Sequence, residues 1–278
     1  MQLEDYRKQI DQIDKELTTL FEKRMDIVLK VADYKKQNNI QILNQDRETQ
    51  VLEKVINQLD NKDYLTETQN FFSDLFDTSR KLQKRKIEER NLLESITSET
   101  KIGIPGTVGS FSEEAAENFF SEKLNFVQKI FYPNFEKVTE ALEQNEIDVA
   151  ILPIQNIIVG PVEETAELLH RLKIITYTTI KISHNLIGSK NINKIKEVIS
   201  HQQALAQCSQ FIEKHGYTPI EYTSTSTAVE LVKNSNDKTK AAIASKKAAE
   251  LFGLTVLKEN IANNNENYTQ FVILKKKE

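Results

Sequence analysis

The sequence predicts two domains of different class, an all-helical N-terminal domain followed by an α/β domain. Its 278 residues exceed the length at which one hydrophobic core usually stops growing. Residues 3–93 contain neither Pro nor Gly, whereas all seven Gly and all five Pro lie beyond residue 100. Beyond Lys101, short apolar runs alternate with helical patterns, as is typical of α/β domains. The polar residues 94–100 form the predicted linker between domains at 1–93 and 101–278.

The composition argues against several classes of protein. Lys and Arg total 37 against 41 Asp and Glu, so the formal net charge of -4 disfavours a nucleic-acid-binding role. No run of about 18 apolar residues is present, which argues against a membrane span. The single cysteine, Cys208, cannot form an internal disulfide, and the four His have no metal-ligand spacing. We therefore expect a cytoplasmic protein without a metal site.

Apolar residues near the N-terminus recur at steps of three and four, as the buried face of a helix requires. The recurring positions are Leu3, Tyr6, Ile10, Ile13, Leu17, Leu20, Ile27, Val31 and Tyr34. They predict one helix from about Leu3 to Gln37, about 50 Å long at 1.5 Å per residue. Two shorter helices of one small domain cannot cover that length, so we expect an antiparallel or intertwined homodimer. In such a dimer Arg7 would reach a pocket in the other subunit.

Polar side chains interrupt the apolar faces of all three predicted helices. Arg24 occupies a position in the apolar series of the first helix, and Glu48 opens the series of the second. Ser79 interrupts the third series, with Gln83 beside it. Burying a charge is costly unless it is paired, so these groups indicate a pocket lined for an anionic ligand. A polar network within a helical bundle, or an Arg that extends to solvent, is the alternative.

These residues lie in three segments that together resemble the all-helical chorismate mutase family: YRKQIDQIDKELTTLFEKRMDIVLKVADYKK, DRETQVLEKV and DTSRKLQ. The resemblance covers nearly all of residues 1–93 and implies that this domain rearranges chorismate to prephenate. The implied site consists of Arg7 from the partner chain with Arg24, Lys35, Arg47, Glu48, Ser79 and Gln83. Asn44 stands where the family usually has Asp and is expected to contact the substrate.

The implied reaction is an intramolecular pericyclic step that needs no nucleophile, proton or cofactor. Catalysis then reduces to holding a compact conformer and stabilising charge on the breaking ether oxygen. The implied roles are carboxylate binding by Arg7, Arg24 and Arg47, donation to the ether oxygen by Lys35 and Gln83, and contact with the hydroxyl side by Glu48 and Ser79.

Two motifs of the second segment combine helix starts with polar side chains. GIPGTVGSFSEEAA indicates a strand, a Gly-bearing turn and a helix that Ser112 could cap, with backbone N–H groups able to receive an anion. Structural capping alone would also explain this pattern. In SHQQALAQC, Ser200 could cap a helix that carries Gln207. Cys208 is interpreted as a buried small residue, and His201 as a satisfied or solvent-facing side chain.

Together with further segments, these motifs resemble the prephenate dehydratase family across almost all of residues 101–278. The segments are GSFSEEAA, PIQNIIVGPVEETAELL, SHNLIGS, SHQQALAQC, STSTA and NYTQFVIL, in the order and spacing of that family. The resemblance implies a two-lobed fold like type II periplasmic binding proteins, with residues 101–178 and 258–278 in one lobe and about 179–257 in the other. It implies Thr269 as the catalytic hydroxyl in the cleft. The implied binding or supporting groups are Asn156, Ser200, Gln207, Ser110 and Ser112.

Several positions depart from the usual pattern of that family. Gln270 replaces Arg in the closing Thr-Arg-Phe motif, so this expected substrate contact lacks the charge and bidentate geometry of a guanidinium. Gln155 replaces a usual Glu, Ile157 a hydroxyl residue and Thr107 a Pro. Either Lys and backbone donors compensate, or the dehydratase is weakened or altered, or the usual Arg serves mainly packing.

The main expectation is a bifunctional enzyme of phenylalanine biosynthesis that needs no cofactor and converts chorismate through prephenate to phenylpyruvate, carbon dioxide and water. Two alternatives concern the second domain. It could carry out another prephenate reaction, such as decarboxylation without loss of the hydroxyl, or it could only bind its ligand, since fold alone does not determine chemistry. The sequence ends soon after the last predicted strand, so we do not expect the phenylalanine-binding ACT domain that is common in the family.

Overall fold

The structure, a computed structural model, describes residues 3–121, 123 and 127–277. The chain divides into two compact units, Met1–Glu94 and Ser95–Glu278. Among the helices of the described residues, none combines the length and apolar character that a membrane span requires.

The first unit is entirely helical, as expected. It consists of α1 (Leu3–Gln37), α2 (Gln45–Gln58), a short 3₁₀ helix (Lys62–Tyr64) and α3 (Leu65–Ser95). The bounds of α1 are those that the apolar periodicity predicts. Helix α2 begins where the side chain of Asn44 accepts a hydrogen bond from the Arg47 backbone N–H. Helix α3 continues to Ser95, so the first two residues of the expected linker are helical.

The two halves of α1 differ in their burial. Every residue from 3 to 23 is exposed within a single chain, including Ile10 at 55% and Leu20 at 61%. Only Met25 and Ala32 are buried, in the second half. The apolar face predicted from the sequence therefore has no cover over a length of about 30 Å within the single chain.

The second unit contains two mixed β-sheets with helices between the strands. Its strands are β1 (Lys101–Pro105), β2 (Gln128–Tyr132), β3 (Val149–Asn156), β4 (Gly160–Pro161), β5 (Leu172–Lys181), β6 (Asn185–Gly188), β7 (Glu197–Ser200), β8 (Thr218–Glu221), β9 (Lys240–Ala244), β10 (Thr255–Lys258) and β11 (Tyr268–Lys276). Its helices are α4 (Phe111–Phe120), α5 (Phe135–Glu143), α6 (Glu163–Leu168), α7 (Gln202–Gln207), α8 (Ser209–His215), α9 (Thr225–Ser235) and α10 (Lys246–Phe252), with 3₁₀ turns at Leu169–Arg171 and Ile192–Lys194.

Each sheet forms one lobe. The first has the order β2-β1-β3-β11-β5 with β4 paired to β3, and the second has the order β10-β6-β9-β7-β8. The chain crosses between the lobes twice, after β5 and again before β11. This is the two-lobed α/β fold expected from the sequence. The second sheet begins at Asn185, later than the expected boundary near Thr179, because β5 pairs with β11 through Lys181.

Separate apolar cores support the two lobes. Val138, Leu142 and Leu152 pack in the first lobe, where α5 covers the sheet. In the second lobe, one cluster contains Cys208 and Ile243, and another covers the opposite face of the same sheet. Cys208 is completely buried, which confirms its interpretation as a small core residue.

Cys208 provides a direct measure of the stability of the second lobe, because burial removes its thiol from solvent and raises its pKa to about 12. We expect a thiol reagent to label the folded chain far more slowly than the unfolded chain. Ile243→Ala, which truncates a fully buried neighbour in the same cluster, should accelerate labelling at least about 30-fold, since such truncations cost about 2–5 kcal/mol. Leu251→Ala, at a side chain that is 48% exposed, is the control and should change the rate little. Equal acceleration by both variants would contradict this account.

Candidate active sites

A cavity of about 480 Å³ in the first unit is lined by side chains from all three long helices. Seven of the eight residues predicted for the first site line it: Arg24, Lys35, Asn44, Arg47, Glu48, Ser79 and Gln83. Arg7 does not belong to this lining. It lies on the exposed first half of α1, where its Nη1 is 3.5 Å from the Glu4 carboxylate. One chain thus provides all the predicted groups except the one expected from a partner.

Arg24 and Lys35 are held in the cavity by neutral groups. Arg24 Nη1 donates to Ser79 Oγ at 2.6 Å, and Ser79 Oγ in turn donates to a backbone carbonyl of α3. Lys35 Nζ donates to the Ile42 carbonyl at 2.5 Å. Burial lowers the pKa of both cations, and for Lys35 the nearby Glu48 carboxylate partly offsets that effect. Neither forms an ion pair with any residue that the structure describes, so both can receive an anion.

Glu48 has a partner that the sequence analysis missed. Arg80 donates to both carboxylate oxygens of Glu48, at 2.5 Å to Oε2, and also contacts Asp77. Arg80 lines the same cavity. Arg80 follows Ser79 directly in the sequence, which was the available indication that it belongs to the site. Its contact with Glu48 joins α3 to α2, and the apolar periodicity of a single helix cannot reveal such a contact between helices. Because Arg80 neutralises Glu48, the charges of Arg24, Lys35 and Arg47 leave the cavity positive.

Two amide side chains complete this cavity. Gln83 is 7% exposed, and its Nε2 makes one weak contact of 3.4 Å with the Ser79 carbonyl. Its buried Oε1 has no hydrogen-bond partner among the described residues. Asn44 uses its Oδ1 to cap α2, at 2.9 Å from the Arg47 backbone nitrogen. The Gln83 amide is therefore available to a ligand, while Asn44 already has a structural role.

A second cavity, of about 420 Å³, lies between the two lobes of the second unit. Five of the predicted residues line it: Ser110, Ser112, Asn156, Gln207 and Thr269. Its other lining groups include Phe111, Pro133, His184 and Asn267. Among the described residues that line it, none is Lys, Arg, Asp or Glu. Apart from the rings of His184 and His201, the described lining therefore offers an anion hydrogen-bond donors and helix dipoles rather than Lys or Arg side chains.

Two predicted residues lie outside this lining. Ser200 is completely buried, and its Oγ donates to the Ile243 carbonyl at 2.6 Å inside the second sheet. Gln270 is exposed, because successive residues of a strand point to opposite faces and its neighbour Thr269 occupies the cleft side. Gln270 therefore contributes no side chain to the lining of the cleft in this structure.

The helix caps differ from the expected ones. Ser110, not Ser112, caps α4, since its Oγ accepts from the Glu113 backbone N–H at 3.2 Å. His201, not Ser200, caps α7 through its Nδ1, and it is exposed, as one of the two interpretations of this residue predicted. Ser224 caps α9. Ser110 and Ser224 both line the cleft, so helix N-termini from both lobes adjoin it and favour negative charge there.

A chain of side-chain hydrogen bonds connects the two sides of the cleft. Asn156 Nδ2 donates to Thr269 Oγ1 at 2.8 Å and to Asn267 Oδ1 at 2.7 Å. Asn267 Nδ2 donates to Gln207 Oε1 at 3.2 Å, and His184 Nε2 contacts the same oxygen at 2.7 Å. Because the Thr269 oxygen accepts from Asn156, its own proton is left to donate into the cleft.

His184 and Asn267 were not singled out by the sequence analysis. His184 is 3% exposed, and burial lowers its pKa although the Gln207 contact opposes that effect. A neutral ring that faces an amide oxygen must carry its proton on Nε2. Asn267 is completely buried and lies two residues before Thr269, a spacing that places both on one side of an extended chain.

The comparisons with known proteins match the two units to two families. Residues 6–84 match the chorismate mutase type II family, and residues 102–278 match the prephenate dehydratase family. A bifunctional chorismate mutase/prephenate dehydratase of Buchnera aphidicola subsp. Acyrthosiphon pisum (strain APS) is 35% identical, over 97% of this chain and 71% of the relative. This chain belongs to the bifunctional chorismate mutase/prephenate dehydratase family.

Two further relatives match the second unit of this family member. A prephenate dehydratase of Methanocaldococcus jannaschii is 42% identical over 173 residues, which are 61% of this chain and 62% of the relative. The crystal structure of a prephenate dehydratase from Arthrobacter aurescens, in complex with L-Phe, has a TM-score of 0.58 at 24% identity and covers 64% of this chain and 61% of that one. The last comparison supports the two-lobed fold.

Proposed function

We propose that this chain catalyses two consecutive reactions in phenylalanine biosynthesis. The first unit rearranges chorismate to prephenate, and the second converts prephenate to phenylpyruvate, carbon dioxide and water. The observation that carries the proposal is the pairing of two family matches with two different polar cavities, one in each matched unit. The first cavity holds Arg24, Lys35 and Arg47, none of which forms an ion pair with the described residues, and the second holds oriented neutral donors.

For the mutase reaction, the arrangement supports electrostatic catalysis of a unimolecular step. Chorismate carries two carboxylates, which Arg24 and Arg47 can neutralise, and the neutral contacts of Arg24 leave its charge available. Lys35 donates one N–H to the Ile42 carbonyl, so two N–H groups remain to donate to the breaking ether oxygen. Gln83 can provide a second donor to the same oxygen. These donors are already desolvated and fixed, so little reorganisation is needed as charge develops in the transition state.

Arg24→Ala or Lys35→Ala should lower mutase kcat/KM at least about 100-fold, the scale for losing one preorganised electrostatic contact. The rate of phenylpyruvate formation from supplied prephenate should stay unchanged, because those residues lie in the other unit. Lys15→Ala, on an exposed position of the same helix, is the matched control and should leave both reactions intact. Loss of both activities in the Arg24 variant would instead indicate unfolding, and full mutase activity would refute the assigned role.

We also propose that the first unit functions as a homodimer in which Arg7 enters the partner's cavity. The support is physical: residues 3–23 of α1 are all exposed in one chain, and their apolar face includes Leu17 and Leu20. An isolated helical segment of this length is marginal in water without tertiary packing. Burying its apolar face against a second copy would stabilise it, and Arg7, which lies outside the cavity of its own chain, could then reach that of the partner.

Mixing Arg7→Ala chains with Arg24→Ala chains tests this shared site. If Arg7 acts across the dimer, each hybrid has one site with both defects and one intact site. Equal mixing with random exchange should then restore about a quarter of native mutase activity, because about half of the dimers are hybrids with one working site each. Proven hybrids, for example by mass labelling, with no recovery of activity would show that Arg7 does not act in trans.

For the dehydratase reaction, Thr269 is the proposed group at the reacting centre. As the C–C bond to the ring carboxylate breaks, its electron pair enters the ring and the C–O bond to the ring hydroxyl breaks, so the hydroxide leaves with one proton as water. The Thr269 oxygen accepts from Asn156 Nδ2, which leaves the Thr269 O–H free to donate to that departing oxygen. As its proton moves to the leaving hydroxide, Thr269 takes up a proton from solvent, so the hydroxyl is restored and the net proton comes from solvent. The carboxylates are proposed to bind donors at the N-termini of α4 and α9.

Thr269→Val, which keeps the shape but removes the hydroxyl, should lower dehydratase kcat by about 100-fold or more while changing the dissociation constant for prephenate little. Thr269→Ser retains the hydroxyl and should keep most of the turnover. Mutase activity of the same variants, which depends on the other unit, measures the concentration of active protein in each preparation. Wild-type turnover in Thr269→Val would remove Thr269 from the mechanism.

Product analysis with native protein and supplied prephenate separates the proposed function from its alternatives. Aromatic phenylpyruvate with release of carbon dioxide supports the dehydratase. A non-aromatic keto acid would instead support decarboxylation without loss of the hydroxyl, and saturable binding without turnover would support a binding module. The proposed cytoplasmic location is tested separately by cell fractionation.

A further inference from the structure

The hydrogen-bond chain in the cleft has one end whose direction is fixed by the backbone. Asn156 Oδ1 lies 3.0 Å from the backbone nitrogens of both Ile158 and Val159. Backbone N–H groups can only donate, so this amide must present its oxygen to them and its nitrogen to the other side. There Asn156 Nδ2 meets Asn267 Oδ1 and Thr269 Oγ1, which must both accept.

The same logic passes through Asn267 to the opposite side of the cleft. Because Asn267 Oδ1 faces Asn156, its Nδ2 faces Gln207 and must donate. The Gln207 atom that meets it is therefore the oxygen, which also receives the Nε2 proton of His184. Gln207 Nε2 forms no hydrogen bond with the described residues, so both of its N–H groups are available in the cleft.

His184 alone could not select this orientation. A neutral imidazole can carry its proton on either nitrogen, so its Nε2 can donate to the oxygen of Gln207 or accept from its nitrogen. An acceptor group in the cleft would be the wrong partner for an anionic substrate. Only Asn267, whose direction is set by Asn156, distinguishes the two orientations of the Gln207 amide.

We propose that Asn267 is a positioning residue for the dehydratase, which selects the orientation of Gln207 that presents N–H donors to prephenate. The side-chain hydrogen bonds of Asn267 link the first lobe to the second. On one side they reach Asn156, and on the other they reach Gln207 on α7 of the other lobe. The Asn267 side chain is completely buried, and its backbone carbonyl accepts from Ile182 N–H at 2.8 Å in the other crossover segment. This inference rests on the proposed dehydratase function of the cleft.

Asn267→Asp is the sharpest test, because an ionised carboxylate has the same shape but cannot donate. Asn156 still donates to it, but Gln207 must turn its nitrogen toward position 267, and His184 can follow by moving its proton to Nδ1. The hydrogen bonds from Asn156 to His184 are then retained, with the Gln207 oxygen facing the cleft, although His184 Nδ1 has no hydrogen-bond partner among the described residues in either state. We expect a folded chain whose kcat/KM for prephenate at neutral pH is lower by about 10- to 100-fold, mainly through a higher KM.

The pH profile separates positioning from a merely structural role. A protonated carboxyl group at position 267 can again donate to Gln207, and its burial raises its pKa. Activity of Asn267→Asp relative to the native chain should therefore rise as the pH falls. The titratable groups around this position are His184 beyond Gln207, the chain neighbours Glu266 and Tyr268, and Lys181 of β5, which pairs with Glu266. All are present in both chains, so their shared contribution to the pH dependence cancels in the ratio. Asn267→Leu, which can neither donate nor accept, should be impaired at every pH.

Two controls keep this test decisive. Asn264→Asp makes the same exchange three residues earlier, at an exposed side chain whose Oδ1 accepts from the Glu266 backbone N–H, as a carboxylate also can, and should leave dehydratase kinetics unchanged. Mutase activity and slow labelling of Cys208, followed at each pH, establish that the variants are folded. Native kcat/KM in Asn267→Asp, a pH-independent loss, or a loss that tracks Cys208 exposure would overturn the inference. If the native chain forms no phenylpyruvate from supplied prephenate, the proposed function has failed; if the native chain does form it and Asn267→Asp is equally active, this inference alone has failed.

Discussion

The second unit depends on the antiparallel pairing of β11 with both β3 and β5. This last strand lies between two strands that come much earlier in the sequence, so the sheet of the first lobe includes a segment that follows the whole second lobe in the chain. The same insertion places Thr269 opposite Asn156 in register and creates the two crossover segments at the base of the cleft. The position of the Thr269 hydroxyl, the two crossover segments and the separation of the lobes therefore share one origin.

The two cavities offer an anion two different environments. In the first, Arg24 and Lys35 retain their charges next to neutral partners, and desolvation makes those charges more effective toward a bound carboxylate. In the second, the described lining contains no Lys, Arg, Asp or Glu. The available contacts there are oriented amides and a hydroxyl, aligned by hydrogen bonds that begin at the backbone N–H groups of Ile158 and Val159. The first arrangement suits charge stabilisation, and the second suits the placement of single protons.

Much of this organisation could be predicted from the sequence because it is local. The apolar period of α1 gave its bounds, and Arg24 stood out as a polar residue within that period. The side on which a strand residue faces depends on pairing with distant strands, so the sequence could not show that Ser200 is sealed in a sheet or that Gln270 faces outward. Asn267 escaped notice for a related reason, since its partners are 60 and 111 residues away.

The exposed first half of α1 has a consequence for how the two activities respond to dilution. A unit whose core lies between two chains has a folding equilibrium that includes chain concentration, whereas the second unit buries its own cores within one chain. If the first unit functions as the proposed dimer, a low protein concentration would reduce mutase activity before it reduced dehydratase activity. Expression level then acts as a control on the ratio of the two catalytic capacities, without any effector molecule.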